Sequence, residues 1–224
     1  MAKQQIKLAW HQRDPQEFKL QKKEVQVEYP HLHFYLENEV VFIRGSFPIK
    51  HQGNVVDRHS IEIELPSNYP EAIPIVRETT GGISRTPDNH FNTLNGEVCL
   101  FALNERWQHF PSGASLLDFL NGPVRNHFLG LSLRKLGEPW PFGERSHGRE
   151  GILESYSEIL GTDDERTIVR YVEYLSKPKI KGHWPCPCGN GKKLRHCHLA
   201  VINNLREKIT LKTAIESLKH LVSN

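Results

Sequence analysis

The feature that most narrows what this chain can become lies near its C-terminal end, in the run His183-Trp-Pro-Cys186-Pro-Cys188-Gly-Asn-Gly-Lys-Lys-Leu-Arg-His196-Cys197-His198. Three of the four cysteines fall there, with histidines on both sides. Thiolates and imidazoles are the donors that suit a closed tetrahedral metal site, and zinc is the ion such a set most often holds. Gly189 and Gly191 let the chain fold back tightly, so that the two halves of the run can converge. A module this short has too little core to fold alone, so the metal itself would supply the folding energy.

The fourth cysteine, Cys99, stands alone far upstream in Asn95-Gly-Glu-Val-Cys-Leu100. A lone cysteine just after an Asn-Gly turn is a candidate nucleophile, set against the ordinary alternative of a small buried hydrophobe. Hydrophobic residues make up 38% of the 224, enough for one sizeable core and a smaller one. There is no long apolar run and no apolar signal core at the N-terminus, so a soluble, reducing, cytoplasmic setting is expected. The net charge of +3 argues little for nucleic acid as a partner.

Asp14-Pro15 with Glu17 marks a helix start, and that helix is expected to end near Lys23. Val25–Val27, Leu32–Leu36 and Val40–Ile43 read as strands, and Ile61, Ile63 and Leu65 alternate with Glu62 and Glu64 as a strand with one wet face. Pro66, Pro70 and Pro74 then interrupt, and residues 75–97 read as one long irregular loop leading to Cys99. A helix follows Ser112-Gly113. Residues 137–151 are turn-rich; Trp140, Phe142, Glu144, His147, Gly148 and Gly151 could line a channel, but packing over the core is the favoured reading. Thr162-Asp-Asp-Glu165 reads as a capping box for a helix stopped by Lys177-Pro178, and a single helical stretch is expected from about Leu199 to Val222.

The ordered set Tyr69-Pro70, Pro74, His90-Phe-Asn92, Gly96-Glu-Val-Cys99-Leu, Trp107 and Pro111 resembles the ubiquitin-conjugating enzyme family over roughly residues 15–130. That family carries Tyr-Pro, then His-Pro-Asn, then Gly-x-Ile/Val-Cys-Leu, with a Trp at the distance seen between Cys99 and Trp107. The resemblance implies an α+β fold, an antiparallel meander flanked by helices. It implies that Cys99 holds an acyl group as a thioester and that Asn92 steadies the oxyanion or braces the loop, with His90 beside it. Phe91 replaces the family Pro, Phe101 stands where an Asp is common, and Asp118 is the only candidate offered for the acid that helps deprotonate an incoming lysine. His109 is a further candidate base.

The C-terminal run, in turn, resembles the SEC-C zinc motif, Cys-x-Cys-x8-Cys-His/Cys. That match selects Cys186, Cys188, Cys197 and His198 as ligands over His183 and His196, and implies a docking module around structural zinc. Lys177, Lys179, Lys181, Lys192, Lys193 and Arg195 surround it and are expected to form a solvated basic face. The expected organisation is a conjugating-type domain over 1–150, a helical connector over 151–180, and a zinc module with a C-terminal helix over 181–224. No Gly-rich nucleotide-binding fingerprint is visible, so the chain is expected to need a partner that supplies an activated acyl group, or a pre-formed bond to rearrange. Stand-alone conjugating-type proteins of this kind resemble those of bacterial short type II CBASS antiphage operons. The partner implied is the C-terminal tail of a cGAS-like nucleotidyltransferase, or a ubiquitin-like protein. A non-catalytic adaptor of the same fold, a cysteine hydrolase using His90 or His109, and a nucleic-acid-binding zinc protein are the competing readings.

Overall fold

The computed structural model describes residues 8–143, 145–146 and 148–223; Glu144 and His147 of the turn-rich stretch lie outside the described residues. In chain order the helices and strands are α1 (Trp10–Arg13), α2 (Pro15–Glu28), β1 (Leu32–Glu37), β2 (Val40–His51), β3 (Asn54–Leu65), β4 (Ile75–Glu78), α3 (Arg106–His109), α4 (Leu116–Phe119), α5 (Arg125–Lys135), α6 (Gly148–Leu160), α7 (Glu165–Leu175), α8 (Leu199–Lys208) and α9 (Leu211–Val222). They divide into two compact units. The first comprises residues up to Leu100 together with Phe110–Gly143; the second comprises Phe101–His109 and the chain after Gly143.

The first unit is a mixed α+β body around a four-stranded antiparallel meander in the order β1-β2-β3-β4. Two tight hairpins build it. Asn38 and Glu39 both take the left-handed conformation between Glu37 and Val40, and Gln52 and Gly53 do the same between His51 and Asn54. Two successive residues with positive φ give the turn whose twist matches that of paired strands. Strand alternation then separates the faces. Ile43, Ile63 and Val76 are aligned across three strands and are fully buried or nearly so. Their neighbours Arg44, Glu62 and Arg77 form an ion ladder on the other face, with Arg44 2.7 Å from Glu62 and Arg77 2.9 Å from Glu64. This is the wet face that the Ile/Glu alternation predicts.

The helices cover the apolar face with Leu116, Phe119, Leu120, Val124 and Phe128, all buried. Between α4 and α5 the backbone widens into a π-type turn over Leu120–Val124, which contains Pro123. A proline lacks the N–H that a regular helix interior needs, and a wider turn accommodates it. Gln21 of α2 is buried and accepts from the Leu116 N–H (2.9 Å) and the Tyr69 hydroxyl (3.3 Å), which ties α2 to α4.

Three expectations along the chain up to α6 need correction. Helix α2 starts as predicted, with Asp14 accepting from the Glu17 N–H at 3.1 Å, but it runs five residues past Lys23 and takes in Val25–Val27. Val25 is fully buried and Val27 is 75% exposed; a strand would put both on one side, whereas a helix turns them apart. Residues 75–97 are not all loop, because Ile75–Glu78 pairs with β3. The turn-rich stretch ends earlier than expected, since α6 begins at Gly148.

The second unit is helical, around a core that includes Tyr156, Ile168, Tyr171, Val172, Leu175, Cys186, Leu194, Ile202, Leu205 and Leu221. Residues from the expected connector and the expected metal module share this one core. Asp164, rather than Thr162, caps α7, accepting from the Thr167 N–H at 2.9 Å. The single C-terminal helix is in fact two: Ile209 is extended, and Thr210 caps α9 by accepting from the Thr213 N–H at 3.2 Å. Glu105, buried, pairs with Arg145 at 2.5 Å, and Asn104 donates to Ser155 at 2.6 Å. Among the described residues no helix is long and apolar enough to cross a membrane.

Candidate functional site

Two constellations of chemistry-bearing side chains stand out, one in each unit.

In the first unit, the chain after β4 folds into a short arch. Phe91 and Val98 pair in an antiparallel bridge, both nearly buried. One step outward, the Cys99 N–H donates to the His90 carbonyl at 2.7 Å, and the Asn92 N–H donates to the Glu97 carbonyl at 2.8 Å. The apolar pair anchors the arch and leaves Cys99 exposed. The turn at its tip is stitched locally: Asn92 Oδ1 accepts from the Leu94 N–H (3.0 Å) and Asn95 Oδ1 from the Glu97 N–H (3.1 Å). Gly96 is buried with φ +69°, and a Cβ there would meet the Arg85 guanidinium at 2.7 Å. Arg85 in turn donates to the Glu78 carbonyl at 3.2 Å, so the arginine lies across the arch and holds it to β4.

The arch therefore brings Cys99 to the His90 backbone and places Asn92 on the facing segment, opposite Glu97. The Asn92 side chain spends its carbonyl oxygen on its own turn and keeps its amide donors for other use. The His90 ring, by contrast, faces Trp140 at 4.6 Å and His127 at 6.4 Å. Burial raises the Cys99 thiol above its ordinary range. The sulfur thus has an open side to solvent and a desolvating wall behind it, and the thiol is predominantly protonated at neutral pH.

His109 belongs to the second unit, where its ring stacks on Phe101 at 5.2 Å and burial lowers its pKa, with Glu105 opposing. Trp107 is in the same unit, with the Lys208 ammonium over its ring at 4.4 Å. Asp118 closes the capping box of α4, whose cap is Ser115: its carboxylate accepts from the Ser115 N–H and hydroxyl, both at 2.8 Å. Trp140 packs over the core, as the favoured reading of the turn-rich stretch has it. Gly130 of α5 makes the room, since a Cβ there would lie 2.4 Å from the indole.

Sequence reasoning missed His127. It is 3% exposed, wedged against Phe91, Phe128, His90 and Trp140, and among the described residues neither ring nitrogen has a hydrogen-bond partner. Burial pushes its pKa down to about 3, helped by His90 and His59. The only signal in the sequence was helical spacing: His127 falls on the same side of α5 as buried Leu131.

In the second unit, the donor atoms of Cys186, Cys188, Cys197 and His198 all lie within 4.8 Å of one another and can hold a metal ion. The Cys188 and Cys197 sulfurs are 3.7 Å apart, far from disulfide bonding. A tetrahedron with metal–sulfur bonds of about 2.3 Å has edges of about 3.8 Å, so the spacing fits zinc. His198 presents Nδ1, 3.2 Å from both Cys186 and Cys197 sulfurs. Backbone pairing makes the shape: Cys186 N–H donates to Lys192 O (2.9 Å), and Leu194 N–H to Trp184 O (2.7 Å). Gly189 and Gly191 take φ +78° and +76° at the tip, where only glycine is unstrained. Asn190 between them donates to the Cys197 sulfur at 3.0 Å, an orienting contact that the sequence did not flag. His196 instead accepts from Arg195 Nε at 3.0 Å. Burial pushes the Cys186 thiol up to about 11, so an incoming cation must displace its proton.

No family model and no solved structure matches this chain.

Proposed function

We propose that this protein is a ubiquitin-conjugating-type cysteine acyltransferase, with Cys99 as the nucleophile and a structural zinc knuckle in its second unit. The observation that carries this reading is the exposed Cys99 at the end of an arch pinned by Phe91 and Val98, with Asn92 on the facing segment of the same arch. The arch follows an N-terminal helix and a four-stranded meander and precedes a helix, the order that the family resemblance implies.

The chemistry would run in two steps. The Cys99 thiolate attacks a C-terminal carboxyl group that a partner has already activated, and the activating group leaves. An amine then attacks the thioester carbonyl; the tetrahedral oxyanion takes a hydrogen bond from the Asn92 amide, collapses to an amide and releases the thiolate. The raised thiol pKa means that the first step needs a proton acceptor from the incoming complex or an alkaline medium. The substrate proposed is the C-terminal tail of a cGAS-like nucleotidyltransferase in bacterial antiphage defence. The zinc knuckle keeps the second unit folded and available for docking.

A non-catalytic adaptor has one observation in its favour: burial raises the Cys99 thiol, and no charged group contributes to its titration. A non-reducing gel of the protein mixed with its partner and that partner's activating enzyme separates the two readings. A joined band that dithiothreitol dissolves, absent in Cys99→Ala, supports the transferase. Stable co-purification with no joined band in any sample supports the adaptor.

A further inference from the structure

The whole-chain charge of +3 hides a strong polarity. From Tyr174 to Arg206 the sequence holds seven Lys and Arg (Lys177, Lys179, Lys181, Lys192, Lys193, Arg195 and Arg206) and no Asp or Glu, so the rest of the chain is net −4. A divalent ion on three thiolates and a neutral imidazole would leave one net negative charge at the knuckle, well short of cancelling them.

The fold gathers these cations. The bridge between Pro185 and Lys193 puts Lys192 and Lys193 on one arm of the knuckle hairpin. The Arg195 N–H donates to the Gly182 carbonyl at 2.9 Å, which sets Arg195 beside Lys181. Arg170 of α7 reaches the knuckle tip, with its guanidinium 3.3 Å from where a Gly189 Cβ would be. Lys177, Lys179, Lys181, Lys192, Lys193, Arg195 and Arg170 are all exposed, and among the described residues none is in a salt bridge, although Arg170 lies near enough to Asp164 to lower its pKa. By contrast, Arg44, Arg77, Arg145 and Arg149 each pair with a glutamate. Beside the cations, Trp184 and Tyr174 stand edge to face at 5.5 Å, both partly exposed, with the Tyr174 hydroxyl fixed to the Pro185 carbonyl at 2.7 Å.

We infer that the zinc knuckle is a docking surface for single-stranded nucleic acid, its lysines and arginines following the phosphodiester chain and Trp184 stacking on a base. Unpaired cations next to a partly exposed flat ring are the combination that a phosphate chain with bases fits. An acidic peptide would use the cations and leave the indole idle. This inference is independent of the chemistry at Cys99.

The test is fluorescence anisotropy with a labelled oligo(dT) and the full, zinc-loaded chain. If five cations reach phosphates, affinity falls by about a hundredfold between about 50 and 200 mM salt. Charge reversal at Lys177, Lys179 and Lys181, which leaves the knuckle hairpin untouched, should weaken binding by at least about tenfold, and Trp184→Ala by about tenfold. Zinc content, measured in parallel, should be unchanged in both variants. No binding at the lower salt would overturn the inference, as would affinity unmoved by the charge reversal. Trp184→Ala without effect, together with equal displacement by poly-glutamate, would replace it with an acidic protein surface.

Discussion

His127 is the residue whose environment makes the sharpest demand on the protein. Its ring is neutral in the folded state down to a pKa of about 3, while the unfolded chain takes up a proton near 6.5. Stability from this residue is therefore fully present above pH 6.5 and is lost as pH falls toward 3, because the unfolded state binds the extra proton. Between pH 7 and 5 the loss is about 2 kcal/mol. Urea midpoints should show this slope in the wild type and a flatter one in His127→Leu; parallel slopes would contradict it. Cys99 makes a second demand. Its raised thiol pKa predicts slow iodoacetamide alkylation at pH 7 and a rate still climbing beyond pH 9. At this scale the sequence was legible where chemistry repeats a spacing, as at Cys186, Cys188, Cys197 and His198. It was not legible where burial decides the role, as at His127. Asp118 shows a third case, since Ser115-Leu-Leu-Asp118 already spelled a capping pattern that accounts for its carboxylate.

Element boundaries follow the same logic of local against non-local information. The Asp14 cap was readable because it rests on a few adjacent residues, whereas the hairpin at Gln52-Gly53 was overlooked. The end of α2 was not readable, because Val25 and Val27 suit a strand by propensity and only the packing surface makes them helical. Strand β4 was hidden for a related reason: its four residues gain their hydrogen bonds by pairing with distant segments, β3 on one side and Glu97–Val98 on the other. The break between α8 and α9 is local and was overlooked; Thr210 marks it. Thr210→Ala removes the side-chain acceptor for the Thr213 N–H and should cost about 1 kcal/mol. A thermal melt should show this as a fall of a few degrees, and an unchanged melt would place the break elsewhere than in the cap.

For the whole molecule, the division into two units predicts unequal dependence on metal. The core of the second unit includes Cys186 and Leu194 of the knuckle, so stripping the metal removes part of that core's framework. A zinc chelator should therefore melt a large share of the helical signal while the aromatic near-UV signal of the first unit persists. Cys197→Ser should reproduce the loss without chelator. A single cooperative collapse of both signals would contradict this. The same division frames the functional claim, because Cys99 and Asn92 share the first unit while His109 lies in the second. The most direct test is intact-mass analysis of the chain co-expressed with its partner and that partner's activating enzyme, as wild type, Cys99→Ser and Cys99→Ala, with and without thiol reductant. The account predicts a joined species that reductant removes from the wild type, a reductant-resistant, alkali-labile one in Cys99→Ser, and none in Cys99→Ala. A joined species that persists unchanged in Cys99→Ala would contradict it.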